Sequence, residues 1–272
     1  MKTRRLNTGV SIPAIGFGTW EIPNSETAEA VATALKTGYR LIDTAKLYGN
    51  EQGVGKAVRE SGIPREEIFV TTKLWNDEHD YGSALKAFDA SLTRLGLDYI
   101  DLYLIHWPAT RRRGEAWKAL TELHRAGKAK AIGVSNYTIE HLRQLMSESD
   151  IVPAVNQVEF HPYIYDQQKE LLEFCKQHGI VVEAYSPLAR VSSDYRPEIT
   201  NIANRLGKTE QQVFLRWCIQ RGTVPLPRSQ NPEHIEDNFD VFDFELCDED
   251  MEELNIVSDG IRVTWDPAGM GA

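Results

Sequence analysis

Leu41-Ile42-Asp43-Thr44-Ala45-Lys46-Leu47-Tyr48-Gly49-Asn50-Glu51 begins as the end of a short apolar strand and carries a carboxylate where the strand gives out. Five residues on, Tyr48 sits in a loop, and Asn50-Glu51 opens a helix. A phenol with an ordinary pKa of ~10 is a weak acid at neutral pH. It becomes a useful proton donor when a cation beside it favours the phenolate and something holds that cation in place. Asp43 can hold such a cation, and a lysine closing another strand would supply it. Lys73, after Ile68-Phe69-Val70-Thr71-Thr72, is so placed.

The same strand–loop–helix unit recurs along the chain. Strand-like runs are Ala14–Gly18, Tyr39–Asp43, Ile68–Lys73, Tyr99–His106, Ala129–Val134, Ala154–Gln157, Ile180–Ala184 and Thr223–Leu226. Between them, Ala28/Val31/Ala32/Leu35, Ala84/Leu85/Phe88/Leu92/Leu95 and Trp117/Leu120/Leu123 repeat at helical spacing. Glycines 38, 96, 127 and 179 fall where a helix C-terminus wants positive φ. Eight strand–helix pairs without a linker predict an α/β fold, a closed (β/α)8 TIM barrel spanning residues 1–272 as one domain. Asn7-Thr8-Gly9 predicts a small hairpin ahead of it. An open doubly wound sheet would offer GxGxxG after its first strand, and Gly16-Phe17-Gly18-Thr19-Trp20 is only a tight turn.

In a barrel the strand ends meet on one face, where this fold carries its chemistry. Here those ends bring Asp43, Lys73, His106, Ser135-Asn136, Gln157, Tyr185-Ser186 and Arg228-Ser229, with Trp20 after the first strand. Each alone could be a cap, a surface charge or a core amide; together they read as a site. No activated serine or cysteine is among them, and only one carboxylate is placed for acid–base work, which argues against acyl transfer and glycoside hydrolysis. The seven histidines show no metal-ligand spacing, so no metal is expected. What remains is Tyr48 as proton donor, Lys73 lowering its pKa, and His106 hydrogen-bonding the same oxygen. That apparatus suits carbonyl reduction with hydride from a cofactor. Ser135, Asn136 and Gln157 can grip a carboxamide, Tyr185 can stack on a flat ring, and Arg228-Ser229 leading into a helix makes an anion site. Trp20, Trp75 and Trp107 would wall the substrate pocket beside His106.

Composition narrows the partners. A net charge of −10 argues against nucleic acid and anionic membranes. Three scattered cysteines form no disulfide framework, and no stretch reads as a signal peptide or a membrane span. A cytoplasmic protein acting on a small carbonyl compound is the expectation.

Gly16-Phe17-Gly18-Thr19-Trp20, Leu41-Ile42-Asp43-Thr44-Ala45 with Tyr48 and Asn50-Glu51, Thr72-Lys73-Leu74-Trp75, Leu104-Ile105-His106-Trp107-Pro108, Gly133-Val134-Ser135-Asn136, Asn156-Gln157-Val158-Glu159 and Ala184-Tyr185-Ser186-Pro187-Leu188 follow one another in order. In these motifs the chain resembles the aldo-keto reductases over nearly its whole length. It is most similar to microbial 2,5-diketo-D-gluconate reductases and related aldehyde and ketone reductases. The resemblance implies NAD(P)H bound extended across the barrel mouth, Tyr48 as general acid, His106 orienting the carbonyl, and Lys73 paired with Asp43. It implies a cofactor path over Gly18, Thr19, Trp20, Asp43, Ser135, Asn136, Gln157, Tyr185, Ser186, Leu188, Pro227, Arg228, Ser229, His234, Asp237 and Asn238, and a monomer as the family default. The far end departs from the family's NADPH-selective pattern of lysine-serine, a later arginine, then Glu-Asn. Arg228-Ser229, His234 and Asp237-Asn238 stand there instead. Exchanging a permanent cation for a histidine weakens the hold on a 2′-phosphate by ~1–3 kcal/mol, so NADPH is expected to be preferred but NADH tolerated. Two rivals share the barrel: a catalytically weak NADPH-binding module, and an isomerase or aldolase with Lys73 as Schiff base.

Overall fold

The computed structural model of the chain describes residues 2–190 and 196–271. A two-stranded antiparallel hairpin, β1 (Thr3–Arg5) and β2 (Ser11–Pro13), comes first. Eight parallel strands follow: β3 (Phe17–Gly18), β4 (Leu41–Asp43), β5 (Phe69–Leu74), β6 (Ile100–Ile105), β7 (Ala129–Ser135), β8 (Val155–Glu159), β9 (Val181–Tyr185) and β10 (Val224–Pro225). Each pairs with its neighbour in chain order. The ring closes where Gly16 N donates to Pro225 O at 3.0 Å and Gly18 N to Pro227 O at 2.9 Å. Gly16 must be small at this seam: a Cβ there would lie 2.5 Å from Leu41 Cγ. The structure is the (β/α)8 barrel with the short hairpin that the sequence predicts.

Helices α1 (Asn24–Thr37), α2 (Glu51–Glu60), α3 (Tyr81–Leu95), α4 (Arg113–Arg125), α5 (Ile139–Glu148), α6 (Tyr165–Gln177), α7 (Pro197–Leu206), α8 (Glu210–Gln220), α9 (Pro232–Phe239) and α10 (Asp248–Ile256) complete the described fold. Their apolar stripes bury against the outward-facing residues of the strands. Phe88 of α3, for example, meets Tyr103 of β6 edge-on at 5.0 Å, and burying such a ring contributes about 1.5–3 kcal/mol. In α1 the buried face is Thr27, Ala30, Val31, Ala34 and Leu35, turned slightly from the expected Ala28/Ala32 stripe. Gly38, Gly96, Gly127 and Gly179 all take positive φ.

Strand alternation divides the interior into two regions. Ile42, Val70, Tyr103, Ile105, Ile132 and Val134 face the helices. Leu41, Phe69, Leu102, Leu104, Ala131, Val155, Val224 and Leu226 fill the barrel, and Leu6 and Ile12 from the hairpin region plug its lower end. Two residues further along the same inward rows, the side chains become Asp43, Thr71, His106, Gln157 and Glu183. The lower barrel is therefore hydrocarbon and its upper layers are polar, which places the chemistry at the strands' C-terminal ends.

Candidate active site

Lys73 is fully buried, and its ammonium spends all three protons. Nζ donates to Asp43 Oδ1 at 2.6 Å, to Thr44 O at 2.9 Å and to Tyr48 OH at 3.1 Å. Tyr48 reaches this point because the chain after β4 makes one 3-10 turn, Lys46–Tyr48, closed by Gly49 at φ 68°. A Cβ on Gly49 would meet nothing within 4 Å, so the glycine is there for its backbone angle. Because Lys73 is the donor in the 3.1 Å contact, the phenol's own hydrogen stays available to another acceptor. The His106 ring stands edge-on to that of Tyr48, with the centroids 5.7 Å apart.

The electrostatics correct one expectation. Burial raises the Tyr48 phenol and Lys73 pulls it back down, but burial together with Asp43 prevails and the net shift is upward. Lys73 does stabilise the phenolate, yet in the protein alone it only limits the rise. A phenol held in the protonated state is what a proton donor requires. For Lys73, burial opposes the charge, while Asp43 and Tyr48 more than restore it, so the ammonium persists. Burial, and then Lys73, push His106 well below the ordinary imidazole range, leaving a neutral ring. Its Nδ1 is buried without a partner.

A second carboxyl, which the sequence reading did not anticipate, joins the network. Gln157 Nε2 donates to Asp43 Oδ2 and to Glu183 Oε2, both at 2.8 Å. Gln157 and Glu183 are register partners on β8 and β9 and face the same way. Burial, then Asp43, push Glu183 up to about 8. Loss of solvent disfavours the charged form first, and the neighbouring Asp43 carboxylate adds repulsion that Lys73 does not cancel, so Glu183 keeps its proton. The inward alternation Val181, Glu183, Tyr185 was the signal that could have found it.

The remaining predicted positions gather on the same face. Ser135 Oγ donates to Gln157 O at 2.8 Å; Asn136 Nδ2 donates to His106 O and Ser135 Oγ, both at 3.0 Å. Tyr185 OH donates to Asn136 Oδ1 at 2.7 Å. Glu21, Asn136, Ser186, Ala189 and Arg190, the non-glycine residues of positive φ among those described, all follow strand ends on this face. Thr19 is fixed by Oγ1 donating to Asp43 O at 2.9 Å. Gly18 approaches the β10 end so closely that a Cβ would lie 3.1 Å from Leu226 O, and Pro227 is buried beside it. Leu188 packs against the outer core. Asn50, expected to open α2, caps nothing with its side chain; it donates to Thr19 O and Ile22 O and accepts from Thr44, stitching two strand-end loops together.

The tryptophans stand around the Tyr48 and His106 rings. Trp20 lies 4.8 Å from the Tyr48 ring and Trp75 5.1 Å from His106. Trp107 meets Trp265 of the C-terminal tail at 5.5 Å, so the tail contributes a fourth. At the far end Arg228 donates to Trp20 O at 3.0 Å and Glu21 O at 3.2 Å, with Glu21 Oε2 3.9 Å away. His234 and Asp237 are exposed on α9, and Asn238 is buried. The start of α9 offers an anion less than expected: Pro232 has no N–H, and Glu233 N–H is taken by Asn231 Oδ1 at 2.9 Å.

Residues 14–259 match the family model described as "Aldo/keto reductase family". The chain belongs to the aldo/keto reductase family. As a member it is an oxidoreductase acting on carbonyl compounds. It is 46% identical over 266 residues to glyoxal reductase of Bacillus subtilis, covering 97% of this chain and 96% of that one. It is 47% identical to morphine 6-dehydrogenase of Pseudomonas putida, covering 96% and 93%. A solved aldo-keto reductase of Bombyx mori in complex with NADP superposes with a TM-score of 0.92 at 37% identity, over 97% of this chain and 94% of that chain. Family membership turns the polar strand ends into an active-site candidate with a defined reaction. No helix of the described residues is long and apolar enough to cross a membrane.

Proposed function

We propose that this chain reduces aldehydes and ketones to alcohols with a nicotinamide cofactor, NADPH by preference and NADH with tolerance. In this reading Tyr48 gives its proton to the carbonyl oxygen while His106, neutral, positions that oxygen. The observation that carries it is the direction of one hydrogen bond: Lys73 donates to Tyr48 OH, so the phenol's hydrogen is free for a substrate and the ammonium remains to stabilise the phenolate left behind.

The residues present fit a nicotinamide. Both protons of Gln157 Nε2 are committed to Asp43 and Glu183, leaving Oε1 to accept from a carboxamide, and Asn136 Oδ1 stands beside it with Tyr185 as its donor. The likeness to a reductase solved with NADP supports the same choice. When bound, the nicotinamide supplies hydride to the carbonyl carbon. The chain's residues do the rest: Ser135, Asn136 and Gln157 orient the ring amide, Tyr185 backs its face, and the tryptophan walls exclude water. Gly18, Thr19, Trp20, Ser186, Leu188 and Pro227 would line the path toward Arg228, Ser229, His234, Asp237 and Asn238. Reduced selectivity for a 2′-phosphate follows from Arg228 being drawn toward Glu21, from the exposed His234, and from the donor-poor start of α9.

Indole walls accept aliphatic and aromatic bodies, and relatives of nearly equal identity are named for glyoxal and for morphine. A broad range of small aldehydes and ketones, keto-sugar acids and keto acids among them, is the substrate class we infer. A cytoplasmic monomer of one domain completes the proposal, supported by three free cysteines and the acidic net charge. A Schiff-base role for Lys73 fits poorly, because its three protons are all engaged and its ammonium is stabilised. Steady-state kcat/KM over an aldehyde and ketone panel with both cofactors tests the proposal. Turnover with both supports it. An NADPH advantage above ~10³, about 4 kcal/mol, refutes the tolerance, and binding without turnover favours the weak NADPH-binding module.

A further inference from the structure

After α10 the chain returns across the barrel mouth, where residues 263 and 264 are held by one buried carboxylate. Glu159, at the end of β8, accepts from Val263 N at 2.6 Å, from Thr264 N at 3.2 Å and from the Thr264 hydroxyl. His161 Nε2 lies 3.1 Å away and Arg262 Nη1 3.7 Å away. Burial raises the Glu159 carboxyl, but hydrogen bonds from His161, Thr264 and Val263 outweigh it and the net shift is downward. Further along, residues 266–270 border a cavity of about 490 Å³, and the end of the tail is held by His141 Nε2 against Met270 O and by Arg113 against Gly271 O. The tail is thus fastened by polar contacts as well as by Trp265 against Trp107.

Thr264 also touches the cofactor side of the site. Its hydroxyl oxygen is 2.9 Å from Tyr185 OH, and Tyr185 OH is 2.7 Å from Asn136 Oδ1. Counting protons shows a conflict. Glu159, Thr264, Tyr185 and Asn136 Oδ1 make three oxygen–oxygen contacts in a row, and only the two hydroxyls carry protons. The Asn136 amide cannot turn to help, since its Nδ2 is held by His106 O and Ser135 Oγ. Glu159 takes the Thr264 proton, so Tyr185 must divide one proton between Asn136 and Thr264.

We infer that Thr264, anchored by Glu159, is a positioning residue that couples docking of the C-terminal tail to binding of the nicotinamide. The inference rests on the proposed function, in which Asn136 Oδ1 accepts from the carboxamide. Once that oxygen has its new donor, Tyr185 turns its proton to Thr264 and the chain of contacts is complete. Docking of the tail in turn draws the Tyr185 proton away from Asn136, leaving a buried Oδ1 that regains a donor when the carboxamide arrives. By linkage each event favours the other to the same extent.

The test pairs NADPH titration by protein fluorescence with hydrogen exchange of residues 261–266, in wild type, Thr264→Val and Thr264→Ser. NADPH is expected to slow exchange at Val263 and Thr264 in wild type and in Thr264→Ser. In Thr264→Val that slowing is lost and the Kd for NADPH rises by about 5-fold or more, with the KM for NADPH rising more than kcat falls. Glu159→Gln, which places an amide donor against tail N–H groups, is expected to speed tail exchange and to weaken NADPH binding. Unchanged NADPH affinity in Thr264→Val, unchanged tail exchange on adding NADPH to wild type, or a Thr264→Ser as weak as Thr264→Val would each overturn the coupling. Wild type that turns over with NADPH yet shows no tail response overturns this inference alone. Wild type that binds neither cofactor overturns the proposed function and the coupling with it.

Discussion

Replacing Lys73 by methionine removes the centre of the polar layer while keeping most of its volume. The ammonium makes three hydrogen bonds in a space with no solvent access. Without it, Asp43 keeps only the Gln157 amide as donor, and Glu183 competes for that same nitrogen. Breaking a buried ion pair from one side costs about 3–5 kcal/mol. For a chain of 272 residues the unfolding entropy is about 0.57 kcal/mol/K, so the midpoint should fall by about 5–9 °C. Activity should fall further than stability explains. Tyr48 loses the one group that pulls its pKa down, and the phenolate formed on proton transfer loses a charged hydrogen bond of about 1.5–3 kcal/mol, a factor of about 10 to 150 in kcat/KM. Calorimetry and a 340 nm assay on the same preparation, with NADPH affinity measured beside them, separate the two losses. A Lys73→Met protein melting within about 1 °C of wild type and retaining half its kcat/KM would refute the reasoning.

Two further outcomes follow from the same geometry. Glu183 is raised from 4.5 to about 8 by burial, then by Asp43; its stabilising contribution is complete below about 4.5 and is lost as pH climbs through about 8, by up to about 1.4 kcal/mol per pH unit. The Glu183→Gln variant lacks that slope, so chemical-denaturation curves of the two proteins should diverge over this window, and parallel curves would contradict a shared network. Arg228→Ala removes the one permanent cation among the residues assigned to the cofactor's far end, so the KM for NADPH should rise about 10-fold while that for NADH changes little; equal changes for both cofactors would move the 2′-phosphate elsewhere.

The barrel was legible because its code is local. Each inward row runs from hydrocarbon to polar within a single strand, as from Leu41 to Asp43 or from Leu104 to His106, and α1, α3 and α7 close on glycines 38, 96 and 207. The placement of Asp43 and Lys73 was legible for the same reason, as strand-end residues on one face, with Tyr48 in the loop that follows Asp43. Glu183 was marked only by the alternation Val181, Glu183, Tyr185 in a strand that otherwise reads as apolar, and its meaning comes from Gln157, 26 residues earlier. The tail's attachment to Glu159 spans about a hundred residues, a pairing that no periodicity announces. The sign of the Tyr48 shift depended on how deeply the phenol is buried, and only packing sets that. The donor-poor start of α9 is legible in the sequence, since Asn231-Pro232 already removes two N–H groups from any anion.

The central claim is that the hydrogen of Tyr48 is the proton delivered to the carbonyl. Tyr48→Phe preserves the ring beside Trp20 and His106 and deletes only the hydroxyl that Lys73 contacts. The deciding measurement is single-turnover NADPH oxidation by this variant with a generic aldehyde, with NADPH affinity confirmed near the wild-type value. The account predicts a loss of at least about 10²-fold, the scale of a positioned general acid, with cofactor binding intact. A Tyr48→Phe protein that reduces the aldehyde at close to the wild-type rate would contradict it.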